Sequence, residues 1–201
     1  MNLKPEEKDA LKELINIGAG KAAGMLSDML QCHISLQVPF IQIMTRNELK
    51  TEMKGLSRDR VSAVKLGFKG PFSGTAALVF PPDSASKLVS VLVSEEPETA
   101  DLDAVRVGTL SEVGNIVING VMGSISNVLK QHINYSLPTY MEDNIENLLL
   151  TDDLYADVTV LLAHTHFRIE KFYIEGDIIL IFEAGSFSTL ISVIDRDLST
   201  R

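Results

Sequence analysis

An internal repeat constrains the fold of this chain more than any other feature of its sequence. When the chain is shifted by 99 positions, nine residues between positions 13 and 39 coincide with identical residues of the second half. The coinciding pairs are Glu13 and Glu112, Asn16 and Asn115, Ile17 and Ile116, Gly24 and Gly123, Ser27 and Ser126, Leu30 and Leu129, His33 and His132, Ile34 and Ile133, and Pro39 and Pro138. The repeat predicts two halves of similar design, at about residues 1–97 and 98–201, within a single domain.

Each half begins with a segment that is predicted to be a long helix. Between Pro5 and about Gln31, apolar residues recur three or four positions apart, which is the spacing of one buried helical face. Pro5 suits the first turn of such a helix. The equivalent segment of the second half runs from about Asp101, a suitable N-cap, to Lys130.

Alternating apolar residues, typical of strands, follow each predicted helix. In the first half they cover residues 36–43, 64–68 and 72–80, and the apolar phase slips by one near Phe40, which predicts a β-bulge. Pro39 cannot donate a ladder hydrogen bond, so it is expected at a strand start or a sheet edge. In the second half the strand candidates are residues 158–166, 168–174 and 178–182, with a turn at Gly176 and Asp177.

A short helix is predicted to close each half, capped by Asp83 in the first and by Ser186 in the second. The order helix, strand, strand, strand, helix, used twice, predicts an α/β fold in which a duplicated α-β-β-β-α unit has pseudo-twofold symmetry. The strands are expected to form an antiparallel sheet with the two long helices packed on one face. Either half alone would leave a sheet edge and a helix face uncovered, so one shared core is expected.

The composition excludes several classes of protein. Hydrophobic residues make up 45% of the chain and charged residues 22%, which indicates a folded globular protein. The net charge of −9, without a basic stripe, argues against a nucleic-acid partner. The sequence has no apolar stretch long enough for a membrane helix and no signal sequence, so no membrane insertion and a cytoplasmic location are expected. The single cysteine, Cys32, agrees with a reducing compartment.

A row of polar residues lies beside the apolar face of the first long helix. Asp9, Glu13 and Asn16 stand at i, i+4 and i+7, so a helix places their side chains in one line. A single pair of this kind is most often ordinary solvated helix surface. The second half repeats the acid and the amide as Glu112 and Asn115, and this duplication favours a functional row.

Three glycines interrupt the first predicted helix, where each costs about 1 kcal/mol relative to alanine. Gly24, which is matched by Gly123, is expected to allow tight helix packing. Gly18 and Gly20 lie within about one helical turn of Asn16, and either tight packing or the close approach of a docked protein would explain them.

Other patterns of chemically active residues are weaker. The run from Gly18 to Lys21 does not predict a phosphate loop, because no strand precedes it. His164 and His166 share one face of a predicted strand but have no third ligand at a suitable spacing, so no metal site is predicted. Neither a Gly-x-Ser-x-Gly motif nor a base near Cys32 supports acyl-transfer chemistry.

The polar row resembles the active-site signature of the CheC, CheX and FliY phosphatases of bacterial chemotaxis. That signature is an acid or serine, then Glu after three intervening residues, Asn after two more and Pro after twenty-two more. The first copy in this chain reads Asp9, Glu13, Asn16 and Pro39. The second copy has Gly108 in the first position and then reads Glu112, Asn115 and Pro138. The resemblance extends over essentially the whole chain.

This resemblance implies a protein-aspartyl-phosphate phosphatase, which removes the phosphoryl group from the aspartate of a CheY-like receiver. It implies that Asn16 and Asn115 orient the attacking water and that Glu13 and Glu112 pair with a receiver lysine. No cofactor of its own is expected, because the receiver would bring Mg²⁺. The remaining positions are expected to contact the partner: Asp9, Gly18, Gly20, Pro39 and Pro138.

The sequence also allows other functions, and it departs from the signature at one position. The same row could dock a receiver without hydrolysis, as a scaffold or a flagellar-switch-like module. An unrelated hydrolase that uses Asp9 and Glu13 as acid and base is disfavoured, because an open helix face offers no apolar pocket to raise a pKa. Gly108 predicts a weaker second site. Relatives of the CheC type can also bind the deamidase CheD, although no residue pattern here identifies a surface for it.

Overall fold

A computed structural model of the chain describes residues 3–55, 60–93, 104–144, 147, 158–169 and 172–199. Five helices and eight strands lie within this part of the chain. In chain order they are α1 (Pro5–Leu30), β1 (Ile34–Gln37), β2 (Ile41–Thr45), α2 (Arg46–Gly55), β3 (Arg60–Lys69), β4 (Gly74–Phe80), α3 (Pro82–Val93), α4 (Ala104–Val128), β5 (Asn134–Tyr135), β6 (Thr139–Asn144), β7 (Thr159–Ile169), β8 (Phe172–Phe182) and α5 (Ser186–Ser199).

All eight strands belong to one antiparallel sheet that mixes the two halves of the chain. Its four inner strands lie in the order β7, β8, β4 and β3. At one edge both β1 and β2 pair with β7, and at the other edge both β5 and β6 pair with β3. Each half therefore supplies the edge strands that cover the hairpin of the other half, while β4 and β8 pair at the centre.

Helices cover both faces of the sheet, and the two long helices share one face as predicted. Buried residues of α1, α3, α4 and α5 form one core with the strand residues on that side, among them Leu66, Phe80 and Leu180. A smaller core lies on the opposite face, where Leu49 of α2 packs with residues such as Leu162. The duplicated α/β arrangement with an antiparallel sheet is confirmed.

The helix α2 and the short strands β5 and β6 were not predicted, so the α-β-β-β-α order is incomplete for both halves. The start of α2 carries the Thr-x-x-Glu spacing of a capping box. The Thr45 backbone N–H donates to Glu48 Oε2 at 2.7 Å, and the Glu48 N–H donates to Thr45 Oγ1 at 3.3 Å. The Thr45 N–H and the Thr45 hydroxyl both donate to the Glu48 carboxylate, and these two bonds hold the pKa of Glu48 below its usual value. The spacing was present in the sequence and would have predicted this helix.

Both edges of the sheet carry a one-residue bulge. At the first edge, Gln37 pairs with His166 and Ile41 with Ala163, so residues 38–40 face only residues 164 and 165. At the second edge, residues 136–138 face only residues 66 and 67 in the same way. The bulge predicted near Phe40 is confirmed, and the prolines at 39 and 138 lie in equivalent bulges.

The two long helices cross with their backbones in direct contact at Gly18. A methyl group on Gly18 would lie 2.4 Å from Cα of Val121 and 2.5 Å from the carbonyl oxygen of Gly120. The two helices can therefore approach each other this closely only because Gly18 has no side chain. The prediction that Gly24 and Gly123 allow tight packing is wrong, because a methyl group on either would meet nothing within 4 Å.

The turn predicted at Gly176 and Asp177 is also wrong, because both residues lie inside β8. A methyl group on Gly176 would clash with the Phe80 ring at 2.7 Å, which explains a glycine in a central strand. Asp177 is fully buried, and its Oδ1 lies 2.6 Å from Nδ1 of His164. Gly and Asp are common in turns, but here both residues lie in a strand, where each is explained by a tertiary contact.

Several predictions concern the junction between the halves. The boundary at residues 97 and 98 and the N-cap at Asp101 lie outside the described residues.

None of the described helices is both long and apolar enough to cross a membrane.

The helix crossing predicts opposite effects for two glycine substitutions in α1. We expect Gly18→Ala to lower the free energy of unfolding by roughly 2 kcal/mol, since the new methyl group must push α4 away. Gly24→Ala is the matched control and should raise it by about 0.5–1 kcal/mol, because its methyl group enters open space and stiffens the unfolded chain. Urea denaturation of both variants measures this difference. A Gly18→Ala variant as stable as the wild type would contradict the assigned contact.

Candidate functional site

The first candidate site lies on the exposed face of α1. Asp9 and Glu13 are exposed and Asn16 is half-buried, so the predicted polar row exists on the helix. Within the described part of the chain, no hydrogen bond or ion pair engages the Glu13 carboxylate. A free carboxylate beside an amide offers an acceptor for a cation and a neutral group that both donates and accepts hydrogen bonds.

The Asn16 carboxamide binds the backbone of the first bulge. The Val38 N–H donates to Asn16 Oδ1 at 3.0 Å, and Asn16 Nδ2 donates to the Val38 carbonyl oxygen at 3.1 Å. The same Nδ2 also donates to the Lys12 carbonyl oxygen at 3.2 Å. Val38 is only 2% exposed and precedes Pro39, so the bulge removes its polar groups from the sheet ladder. Asn16 thus supplies the hydrogen bonds that the bulge lacks.

The second candidate site has the same residues but different contacts. Glu112 is exposed and Asn115 is half-buried on α4, and Pro138 lies in the second bulge. The Asn115 Oδ1 accepts a hydrogen bond of 2.7 Å from Nδ2 of Asn119, one turn further along the helix. Within the described residues, Asn115 makes no hydrogen bond to this bulge.

A serine stabilises the second bulge instead. The Ser136 N–H donates to the Gly67 carbonyl oxygen at 2.9 Å, and the Gly67 N–H donates to Ser136 Oγ at 2.8 Å. Leu137, which corresponds to the buried Val38, is 87% exposed. The second site therefore presents an exposed apolar side chain immediately before its proline, whereas the residue in that position of the first site, Val38, is buried.

The two glycines predicted to contact a partner occupy different surroundings. Gly20 is exposed, and a methyl group there would meet nothing within 4 Å, so the surface beside Asn16 is open at this point. Gly18 is buried in the helix crossing and is not part of that surface. Of the two explanations given for Gly18, tight helix packing applies, because α4 lies directly against it.

Three residues near the sites were not singled out from the sequence. Asn119 follows Asn115 by four residues, so helical spacing could have placed the two side chains together. Val38 contributes only its backbone N–H and C=O, which nearly every residue has, so its residue type could not have predicted this role. Leu137 looks like an ordinary strand residue, and only the bulge exposes it.

The histidine pair on β7 does not form a metal site within the described residues. His164 lies beside the buried Asp177, and its ring is 4.5 Å from the Phe40 ring, whereas His166 is exposed. No group of three His, Cys, Asp or Glu side chains in this part of the chain is arranged to hold a metal ion.

The contacts of the two asparagines predict different effects on stability. We expect Asn16→Ala to lower the free energy of unfolding by about 2 kcal/mol, because it leaves the buried N–H and C=O of Val38 without partners. Asn115→Ala is the matched variant, and its effect should stay within about 0.5 kcal/mol, since it releases only a helix-surface bond. Urea denaturation provides both values, and equal losses would contradict the asymmetry.

Two family models match separate parts of the chain. The CheC-like family matches residues 6–43, and the chemotaxis phosphatase CheX model matches residues 62–154. These ranges include the polar row of α1, the first bulge and both Glu112 and Asn115. The first match covers the Glu–Asn pair of the first half, and the second match, which runs from the first half into the second, covers the other pair.

Curated relatives and solved structures agree with these matches. The chain is 26% identical to the CheY-P phosphatase CheC of Bacillus subtilis over 139 residues, which are 68% of this chain and 66% of that protein. It is 23% identical to the flagellar motor switch phosphatase FliY of B. subtilis over 68% of this chain and 36% of FliY. The fold is similar to that of Thermotoga maritima FliY, with a TM-score of 0.78, 22% identity and coverage of 98% of this chain and 100% of that one.

A structure of the CheX–CheY–BeF₃–Mg²⁺ complex of Borrelia burgdorferi is similar with a TM-score of 0.52 and 18% identity, and covers 86% of this chain and 99% of that one. The sequence matches reach from the first helix into the second repeat, and the fold matches cover nearly all of the chain. The resemblance to the CheC, CheX and FliY family is therefore confirmed: in sequence and in fold, this chain is similar to chemotaxis proteins of that family.

Proposed function

We propose that this protein hydrolyses the phosphoaspartate of a CheY-like receiver. One observation carries the proposal: a Glu–Asn pair stands twice on exposed helix surface, each time with the matching proline in a sheet-edge bulge. Two B. subtilis relatives named as phosphatases support it. The relative named as a CheX–CheY complex supports a CheY-like partner.

The chemistry requires little from the protein itself. An acyl phosphate hydrolyses spontaneously, so a hundredfold acceleration needs only about 2.7 kcal/mol of barrier reduction. Orienting one water molecule for in-line attack can supply this amount. In the proposed mechanism Asn16 or Asn115 holds that water, and Mg²⁺ bound to the receiver neutralises charge on the phosphoryl oxygens. A neutral amide suits the position, because a carboxylate would repel those oxygens.

The acidic residues are assigned to recognition. Glu13 and Glu112 are exposed on the side of each helix that bears the amide, so each can pair with a lysine of the receiver. Asp9, Gly20 and the two prolines would border the receiver in the complex. Gly108 removes one polar contact from the second site, while the exposed Leu137 offers an apolar one.

Asn16 would change partners during the reaction. Its Oδ1 and Nδ2 are both bonded to Val38 in this structure. Both Nδ2 protons are already donated, so the amide would give up one Nδ2 bond to donate to water when the receiver docks, whereas the second lone pair of Oδ1 can accept from water without that loss. The first site therefore combines a structural and a proposed catalytic task in one side chain.

A docking scaffold is the second candidate function. The fold similarity to Thermotoga FliY and the B. subtilis relative named as a flagellar motor switch phosphatase favour it as the alternative. A scaffold would bind the phosphorylated receiver and leave its dephosphorylation rate unchanged. Binding to CheD stays a prediction from the family resemblance.

Phosphate release distinguishes the two functions. A Mg²⁺-loaded CheY-type receiver, phosphorylated with a small-molecule donor, should lose phosphate faster in the presence of the wild-type protein. We expect Asn16→Ala and Asn115→Ala each to remove part of the acceleration, and the double variant to return to the spontaneous rate. Asn47→Ala, an exposed asparagine on α2 at the opposite face of the sheet, is the matched control and should be fully active. Receiver binding without any acceleration by the wild type would reject the enzyme in favour of the scaffold.

Substitution of the acidic residues should affect recognition more than chemistry. We expect Glu13→Gln combined with Glu112→Gln to raise KM about tenfold with a smaller change in kcat, because a charge pair at an interface contributes mainly to binding. The effect should shrink at high salt. Asp28→Asn, an exposed acid near the other end of α1, is the control. Initial rates against receiver concentration at two salt concentrations measure it, and an unchanged KM would exclude the assigned lysine pairing.

A further inference from the structure

We propose that Asn119 is a positioning residue that orients the carboxamide of Asn115, an inference that rests on the proposed phosphatase function. Asn119 Nδ2 donates to Asn115 Oδ1 at 2.7 Å, and both side chains are half-buried on α4. Within the described residues, this is the one hydrogen bond that the Asn115 side chain makes. It therefore decides which end of the amide faces outward.

The orientation matters because a terminal amide rotates easily. The last torsion of asparagine is broad and nearly twofold, so an amide without a partner presents its oxygen and its nitrogen about equally often. A donor fixed on Oδ1 removes this ambiguity. It leaves the Asn115 Nδ2 protons and the second lone pair of Oδ1 for a water molecule. Orientation before binding lowers the barrier to a reaction that depends on placing one water.

The first site fixes its amide by a different group. There the backbone of Val38 holds both ends of Asn16, and the position equivalent to Asn119 is Gly20, which has no side chain. Asn115 makes no such backbone contact within the described residues, and its bulge is held to β3 by the hydrogen bonds between Ser136 and Gly67. Each site thus contains one group that orients its asparagine, and in the second site that group is Asn119.

The test isolates the second site by using Asn16→Ala as the parent protein. Asn119→Leu keeps the approximate shape of the side chain but removes the donor. Asn119→Gln restores an amide donor on a longer arm. Asn127→Leu, an exposed asparagine on the same helix, is the matched control. Phosphate release from the phosphorylated receiver, measured over a range of receiver concentrations, provides kcat and KM for each variant, and thermal unfolding reports on folding.

We expect Asn119→Leu to lower kcat about tenfold, with KM within twofold of the parent and an unchanged melting temperature. Asn119→Gln should recover a substantial part of kcat, and Asn127→Leu should match the parent. An unchanged kcat in Asn119→Leu would overturn the inference, as would a rise in KM alone, which indicates docking. Equal losses in the leucine and glutamine variants with a lower melting temperature would show a structural role and overturn it too.

Failure of the underlying function gives a different result. If neither the wild type nor the parent accelerates phosphate release, the phosphatase proposal is rejected, and the role of Asn119 is rejected with it. If the parent is active and Asn119→Leu is equally active, only the role of Asn119 is rejected.

Discussion

The backbones of α1 and α4 touch where Gly18 faces Gly120 and Val121, and the helix layer is built around this contact. Two helices that meet without side chains between them can lie closer than the usual 8–10 Å between helix axes. The crossing turns one face of each helix toward its partner and another toward the sheet. The remaining face of each helix stays exposed, and it carries Glu13 on α1 and Glu112 on α4.

The edge bulges join this layer to the chemistry of the sites. Each proline interrupts an edge strand, and the inserted residue leaves backbone groups without ladder partners. At the first edge a helix side chain, Asn16, satisfies them, so helix and bulge are held together. At the second edge Ser136 bonds to Gly67 instead, so Asn115 is independent of the bulge. The same motif therefore occurs in two different surroundings.

Much of the fold could be predicted from residue patterns. The long helices, the β3–β4 hairpin and the first bulge follow from local periodicity and from the position of Pro39. Two of the errors share one cause, since each involves a residue whose role is set by a distant neighbour. Gly176 is a strand residue because of the Phe80 ring, and Gly18 is buried because α4 lies against it. The helix α2 is different, because its capping box was visible in the sequence.

The sequence by itself determined the duplication, and with it the placement of a Glu–Asn pair on each long helix and of a proline at each sheet edge. Helical spacing and the repeat are properties of residue order, so no contact needs to be known to derive them. Only the tertiary structure decided what each asparagine touches. The partner of Asn16 is the backbone of Val38, and backbone groups are the same in every residue, so no sequence pattern reveals this bond. Register and burial select it, and both arise only when the two halves fold together.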